Sequence, residues 1–346
     1  MKTYLLPKEG TFYKANLHCH STISDGRWTP EEIKQNYKDH GYSIVAYTDH
    51  QAFVTHNDLR DADFLPMNGY ELDFTEPKRE DGKSSKTCHL CFVALDEDKK
   101  LQKIFYETKT LARNMENVCL DPNREPLERQ YDPAYISGII KQGVEDGFFV
   151  TYNHPVWSLE SKDQYCNYHG MHAMEILNYG CVVEGYDDHN GAIYDEMLRN
   201  GERLYCVATD DNHNRYPIDH PQNHSFGGYT MIKADKLTYA DIAKALVDGH
   251  FYASEGPEIK EIYFEDNKVY IESSDAVRIV MASDNRRYKV VTAEENGKTV
   301  NSACFEIGEK LGDYVRFTVI DEKGREANTN AYFLSDLPLE TIPLES

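Results

Sequence analysis

Two histidines separated by a single residue, His18 and His20, stand out as side chains that could do chemistry. The stretch that carries them begins with the apolar Leu17 and ends in residues typical of a turn, which predicts a short strand that runs into a loop. Because side chains alternate across a strand, both imidazoles should lie on one face, with the Asp25 carboxylate five residues further on. Imidazole and carboxylate are ligands of catalytic zinc, although paired histidines also occur as hydrogen-bonded surface or core residues.

Further histidines and carboxylates follow along the chain, most of them where a predicted strand ends. Six of the fourteen histidines belong to this set. Nitrogen and oxygen ligands without thiolate suit zinc, manganese or iron, and they favour an open catalytic centre over a closed structural one. Nine ligands are too many for one ion, so the set predicts two divalent metals that share a carboxylate and a third metal nearby. The candidates are His18, His20, Asp25, His50, Glu71, His89, His154, Asp211 and His213.

The other eight histidines fall in predicted helices or loops, where a surface or hydrogen-bonded role is expected. Near another predicted strand end, Glu175 and Asn178 could orient ligands or simply pack, and the sequence does not choose between these roles. The eight histidines are His40, His56, His169, His172, His189, His220, His224 and His250.

Strands alternate with helices over about the first 255 residues. This alternation predicts a parallel sheet, open or closed. The candidate ligands gather at the carboxyl ends of strands, which is where a (β/α) barrel assembles its active site from separate loops. Strands are predicted at 43–48, 64–70, 90–95, 148–152, 173–178 and 204–209, and helices at 29–40, 101–117, 132–146, 188–200 and 239–248.

The sequence pattern changes near Gly256. Short β-type runs alternate with turns beyond this point, and no convincing helix interrupts them. We therefore expect two domains: an α/β domain over residues 1–256 and a small all-β, sandwich-like domain over residues 257–346.

The amino-acid composition indicates a folded protein and argues against some classes of partner. The chain has 346 residues, a net charge of −22 and a hydrophobic content of 40%. The apolar content is sufficient for a real core, and the acidic surface argues against a nucleic-acid polymer as partner. No export signal and no run long enough to span a membrane are expected, so the eight scattered cysteines indicate reduced thiols in a cytoplasmic protein.

The candidate residues and their neighbours form short motifs whose order along the chain resembles that of the PHP (polymerase and histidinol phosphatase) superfamily. The resemblance is above all to its stand-alone metal-dependent phosphoesterases. The resemblance covers about residues 10–256, and it implies a distorted seven-stranded (β/α) barrel. The motifs are His18-x-His20, Asp25, Thr48-Asp49-His50, Glu71, His89, Asn153-His154-Pro155, Asp211-Asn212-His213 and the ending Asp248–Pro257.

The resemblance also implies a ligand set for each of three metals. The first would be held by His18, His20, Glu71 and Asp211, the second by Glu71, His89 and His154, and the third by Asp25, His50 and His213. Asp25 stands where some relatives have histidine, and its hard oxygen favours manganese or iron over zinc at the third site. Alternation along the strand favours Asp211 over Asp210 as the ligand, and Asp49 is expected to be structural.

Two metals that share a water can offer a bridging hydroxide as nucleophile. The expected function is therefore hydrolysis of a small phosphorylated metabolite of the nucleotide or sugar phosphate type, with Asp25, His50, Glu71 and Asp211 in catalytic roles. Either Arg27 or Arg215 could bind the phosphate, or both could be solvated surface residues. Two alternatives remain: a related metallohydrolase of a carbamate or ester bond, and a non-catalytic, metal-stabilised binding module.

Overall fold

The computed structural model describes residues 2–83, 85–106, 118–125, 127–293 and 297–339. Eighteen strands and six α-helices are assigned within these ranges. The strands are β1 (Thr3–Tyr4), β2 (Thr11–Asn16), β3 (Ile44–Tyr47), β4 (Leu65–Thr75), β5 (Thr87–Ala94), β6 (Phe148–Asn153), β7 (Ala173–Asn178), β8 (Tyr205–Thr209), β9 (Tyr229–Ala234), β10 (Phe251–Ser254), β11 (Ile259–Glu265), β12 (Lys268–Ala276), β13 (Arg278–Ser283), β14 (Lys289–Thr292), β15 (Val300–Glu306), β16 (Tyr314–Ile320), β17 (Glu326–Thr329) and β18 (Tyr332–Phe333). The helices are α1 (Pro30–Asp39), α2 (Pro133–Glu145), α3 (Lys162–Tyr165), α4 (Tyr179–Glu184), α5 (Gly191–Arg199) and α6 (Tyr239–Val247).

Two of the predicted helix starts carry the expected caps. In α1, the Thr29 hydroxyl accepts from the backbone N–H of Glu32, and the Glu32 carboxylate accepts from the backbone N–H of Thr29, which completes a capping box. In α2, the carboxylate of Asp132 caps the helix by accepting from the backbone N–H of Tyr135. Both helices end next to a glycine, as the sequence predicts.

One large sheet organises the region that carries the candidate ligands. Its strands follow the order β9-β2-β3-β4-β5-β6-β7-β8. The pairs β2–β3, β3–β4, β6–β7 and β7–β8 are parallel, as predicted, whereas β5 is antiparallel to both of its neighbours. The β4–β5 pair is antiparallel because the connection between the two strands is short, whereas a parallel pair needs a crossover of a dozen residues or more.

A closed seven-stranded barrel is not confirmed. In the described ranges, no backbone ladder joins β8 to β9, and only six helices accompany the strands. Instead, the side chain of Thr230 in β9 bonds to the backbone of Ala208 in β8. The Thr230 hydroxyl donates to the Ala208 carbonyl at 3.0 Å and accepts from the Ala208 N–H at 3.2 Å. The fold is therefore a mixed α/β architecture with one large sheet.

Several elements differ from the sequence-based expectation. Strand β4 continues four residues past Glu71 instead of ending there, and α3, α4 and β9 were not predicted. The helix predicted over residues 101–117 is wrong at its start, because residues 101–106 are not helical and Gln102 forms a bridge with Leu120. Residues 107–117 lie outside the described ranges.

The C-terminal part is an antiparallel all-β structure, as predicted. A four-stranded sheet of order β1-β11-β12-β15 packs against the β14-β13-β16-β17 end of the large sheet. Apolar side chains from both sheets, among them Ile262, Ile271, Met281 and Phe317, fill the space between them. The ladders β1–β11 and β10–β17 tie this part to the rest of the chain, and the proposed boundary at residue 256 stays a prediction.

None of the helices in the described ranges combines the length and the apolar character that a membrane crossing requires.

A partly buried carboxylate that is not among the candidate ligands, Glu160, lies among three tyrosines. Glu160 accepts hydrogen bonds from the hydroxyls of Tyr131, Tyr152 and Tyr168 at 2.7, 2.6 and 2.5 Å. Burial outweighs these hydrogen bonds and raises the pKa of Glu160 to about 7. The folded chain therefore holds a proton on Glu160 over a pH range in which the unfolded chain has lost it.

We expect Glu160→Gln to flatten the pH dependence of stability. In the wild type, the stabilisation from protonated Glu160 is fully present below the ordinary carboxyl pKa near 4.5 and is lost as the pH rises towards 7. The free energy of unfolding of the wild type should fall by about 3 kcal/mol relative to the variant over this range. Denaturant unfolding of metal-free protein from pH 4.5 to 8 measures the difference, and parallel profiles for the two proteins would contradict it.

Candidate metal centre

The ligand-bearing loops are joined to one another by backbone hydrogen bonds just beyond the strand ends. The carbonyl of His18 accepts from the N–H of Asp211 at 3.0 Å, and the carbonyl of Asn212 accepts from the N–H of His20 at 3.2 Å. On the other side, the carbonyl of Cys19 accepts from the N–H of Thr48 at 2.9 Å. These bonds hold the loops after β2, β3 and β8 in register, so side chains far apart in sequence meet at one edge of the sheet.

The Glu71 carboxylate is the centre of the cluster. It is 1% exposed and lies within 3.5 Å of five imidazoles. Its Oε1 is 3.2 Å from His18 Nε2, 3.1 Å from His89 Nδ1 and 3.4 Å from His154 Nε2, and its Oε2 is 3.0 Å from His50 Nδ1 and 3.5 Å from His20 Nε2. One carboxylate thus touches side chains from every predicted metal site, as a bridging ligand must.

Asp211 completes the inner group. Its Oδ1 lies 3.3 Å from His18 Nε2 and 3.1 Å from His20 Nε2. This oxygen is buried and has no hydrogen-bond partner among the described residues. A buried carboxylate oxygen without a donor is costly, and a cation is the partner that would satisfy it. The three residues are close enough to hold one ion.

A second and a third group have similar geometry. His18, Glu71 and His154 can place one ligand atom each around a common ion, and so can His20, Asp25, His50 and His213. Asp25 Oδ1 lies 3.3 Å from His213 Nε2 and 3.7 Å from His50 Nε2. These three groups take in eight of the nine predicted ligands, with His18 and His20 each shared between two groups. His89 belongs to none of them, but its Nδ1 lies 3.1 Å from Glu71 Oε1, at the edge of the cluster.

The electrostatics of the cluster favour cations. Burial opposes ionisation of Glu71 and Asp211, yet the surrounding imidazoles hold the pKa of both carboxyls well below the usual range. Burial and the nearby rings of His50 and His213 lower the pKa of His20 to about 4, so this ring is neutral at pH 7 and offers a lone pair. Burial opposes protonation of His50 and His154, yet the neighbouring carboxylates raise the pKa of both rings to about 9. A divalent transition metal, which binds ionised carboxylates and neutral imidazoles, would therefore have to displace these protons.

Glu175 contacts two of the candidate ligands, His18 and His154. The sequence alone does not tell whether Glu175 and Asn178 orient ligands or simply pack, and the contacts of the two residues answer this question. Its Oε1 lies 2.7 Å from His18 Nδ1 and accepts from the Thr209 hydroxyl at 2.6 Å, while its Oε2 accepts from the backbone N–H of His154 at 2.9 Å. Asn178 donates to Glu175 Oε2 at 2.9 Å and to Asp211 Oδ2 at 3.2 Å. Both residues orient ligands rather than filling space.

Asp49 and Asp210 are structural, in agreement with the sequence-based expectation. The Asp49 carboxylate accepts from the backbone N–H groups and the hydroxyls of Ser21 and Ser24, which fixes the loop that carries Asp25. The Asp210 carboxylate accepts from the Tyr37 hydroxyl and from the N–H groups of residues 226–228. Glycine is required at position 228, since a Cβ there would lie 2.3 Å from the Thr209 carbonyl oxygen.

A cavity of about 260 Å³ opens onto the cluster. Of the two candidate arginines, Arg215 lines it and Arg27 does not; the Arg27 side chain is exposed. The sequence reasoning missed Trp157, Cys181 and Glu184 in the cavity wall, and it was wrong about His224. The His224 ring is 3% exposed and faces the cavity instead of the surface. Trp157 lies three residues after His154, which is the one signal that could have found it.

Comparison with known proteins gives structural neighbours only. No protein-family model and no curated protein matches the chain. One neighbour is a two-domain protein from Bacteroides vulgatus containing a predicted PHP-like metal-dependent phosphoesterase, with 17% identity, a TM-score of 0.44 and coverage of 94% of this chain and 98% of that one. Another is a proposed metal-dependent phosphoesterase from Bifidobacterium adolescentis, with 12% identity, a TM-score of 0.38 and coverage of 61% and 92%. A third is an amidohydrolase from Chromobacterium violaceum with bound sulfate, with 16% identity, a TM-score of 0.35 and coverage of 57% and 87%.

We expect Glu175→Gln to weaken metal binding while the fold survives. The amide has the shape of the carboxylate but lacks the charge that orients the N–H of the His18 ring. Removal of such a partner typically costs about 10- to 100-fold in metal affinity. Competition with a chromogenic chelator would measure the loss, and Glu202→Gln, outside the cluster, is the matched control. An unchanged affinity for Glu175→Gln would show that this carboxylate does not support the metal.

Proposed function

We propose that the chain is a PHP-superfamily, metal-dependent phosphoesterase that hydrolyses a small phosphorylated metabolite. The observation that supports this best is the single buried carboxylate, Glu71, within 3.5 Å of five imidazoles. The order of the nine ligands along the chain matches the superfamily motifs.

We assign the ligands as the resemblance implies. His18, His20, Glu71 and Asp211 hold the first ion, Glu71, His89 and His154 the second, and Asp25, His50 and His213 the third. Manganese, iron and zinc all suit these donors. When bound, such ions supply Lewis acidity: they activate water and offset the charge of a phosphoryl group.

The residues of the chain have separate tasks in this scheme. Glu175 and Asn178 keep His18, His154 and Asp211 in place. The guanidinium of Arg215, 3.9 Å from Asp25 Oδ2, lies beside the ligands and can bind phosphoryl oxygens. Asp25 and His50, at the outer edge of the cluster, would hold with His213 an ion that offsets the charge on the leaving oxygen. No protein nucleophile is required.

The same interpretation leads to proposals for the cellular location, the partners and the domain organisation of the protein. We infer that the protein acts in the cytoplasm on a soluble small molecule, without a nucleic-acid polymer or a membrane as partner. The C-terminal β part, residues 257–346, is proposed to be a separate domain that supports the catalytic one.

Metal analysis together with phosphate release tests the function directly. We expect two or three equivalents of manganese, iron or zinc in gently purified protein, and release of phosphate from nucleotide or sugar monophosphates that stops with chelator and returns with metal. Metal without phosphate release would instead favour a carbamate or ester hydrolase. Protein that holds no metal and gains none on addition would overturn the proposal.

We expect Glu71→Ala to remove the two bridged ions and the activity together. Metal content should fall by about two equivalents, and kcat/KM by more than about 100-fold, because even a residue that only supports a ligand costs 10- to 100-fold. Elemental analysis and phosphate release measure the two effects, with circular dichroism as the check on folding. Retained turnover with full metal content would contradict the dinuclear assignment.

A further inference from the structure

The cavity beside the metal cluster has two chemically different walls. On the side of the second metal site, the Trp157 ring lies edge-on to His89 and His154, with ring centroids 5.3 and 4.9 Å apart. On the side of the third site, Arg215 and Glu184 line the cavity. The cavity is therefore lined by an aromatic ring as well as by charged side chains that are not among the predicted ligands.

In the charged wall, the sign of the side-chain charge alternates with increasing distance from the candidate metal ligands. Arg215 Nη2 lies 3.9 Å from Asp25 Oδ2, Arg215 Nη1 lies 4.0 Å from Glu184 Oε1, and Glu184 Oε1 lies 3.5 Å from His224 Nε2. Glu184 therefore lies one side chain further from the cluster than Arg215. Its carboxylate is one-third exposed, and its only described contacts are these two long ion pairs. It retains capacity to accept hydrogen bonds from a ligand.

A carboxylate is a poor neighbour for a phosphoryl group, because two anions repel. With the phosphoryl group at the metal ligands and Arg215, Glu184 meets the other part of the substrate. Carboxylates recognise hydroxyl groups by accepting their hydrogen bonds, and a flat aromatic side chain binds the apolar face of a ring. A sugar ring presents both features at once. At about 260 Å³ the cavity lies below the usual range of about 300–1,000 Å³ for ligand pockets, which suits one sugar ring with its phosphate better than a nucleotide.

We propose that the substrate is the phosphate monoester of a monosaccharide, with Glu184 accepting hydrogen bonds from its hydroxyls and Trp157 packing against the ring. This inference rests on the phosphoesterase function proposed above. Hydrolysis breaks the P–O bond to the sugar; water supplies the new oxygen of inorganic phosphate, and a proton passes to the sugar oxygen. His224 is a positioning residue, since its buried ring lies next to the Glu184 carboxylate and keeps it at the cavity wall.

Tryptophan fluorescence can report binding without turnover. The chain has two tryptophans, so Trp28→Phe leaves Trp157 as the one reporter. In zinc-loaded, full-length protein with this change, titration with ribose or glucose in the presence of inorganic phosphate should give a saturable change in fluorescence. Adding Glu184→Gln should raise the sugar concentration at half-saturation by about tenfold. Glu145→Gln, an exposed residue of α2, is the control and should leave the titration unchanged.

Kinetics separate sugar recognition from the chemical step. For ribose 5-phosphate and glucose 6-phosphate, Glu184→Gln should lower kcat/KM by about tenfold or more, mainly through KM, while p-nitrophenyl phosphate, which lacks sugar hydroxyls, changes less than about threefold. An equal loss on both kinds of substrate, or no fluorescence response to either sugar, would overturn the sugar assignment even if phosphate is released. Absence of release from every ester by metal-loaded wild type would instead overturn the phosphoesterase function.

Discussion

The structure depends on one buried anion, the carboxylate of Glu71. An isolated carboxylate at 1% exposure is strongly unfavourable, and five imidazoles within 3.5 Å are what make it tolerable. Strand β4 places it there because it continues through Glu71, with the His50 loop on one side and β5, which carries His89, on the other. Had β4 ended at Glu71, the carboxylate would lie in a loop with far less control of its position.

A second layer of carboxylates holds this first group in place. Asp49, Glu175 and Asp210 are each nearly or fully buried. Asp49 and Glu175 accept hydrogen bonds from loops that carry ligands, and Asp210, next to Asp211 in the loop after β8, accepts from the backbone of residues 226–228. Backbone N–H groups make up much of this donor set, so the loops after β2, β6 and β8 are fixed as chain segments and not merely as side chains. Such support fixes the separate chain segments from which the nine candidate ligands converge.

The sequence predicted the ligands better than the architecture around them. Histidines and carboxylates at the ends of apolar runs are visible in a sequence. Asp211 lies in the cluster and Asp210 does not, as expected, but the strand period is not the reason: both residues lie beyond β8, and Asp211 has a φ of 48°. The antiparallel course of β5 and the missing β8–β9 ladder depend on tertiary pairing, which residue patterns do not encode. His224 and Glu184 were missed for a related reason: one lies in an irregular loop and the other at the end of the short α4, where no periodicity indicates which way a side chain points.

The candidate metal ligands and the charged residues of the cavity wall also differ in how the fold holds them. Most of the candidate ligands lie in strands of the large sheet or shortly after them, whereas Glu184 comes from α4 and Arg215 from the loop before β9, which also carries His213. Glu184 and Arg215 contact each other through one ion pair at 4.0 Å, and such a pair contributes little to stability when it is partly exposed. Under the proposed function, substitution of Glu184 would change which alcohol is accepted without removing a metal ligand. The strands would then supply the chemistry, and the loops above them the choice of substrate.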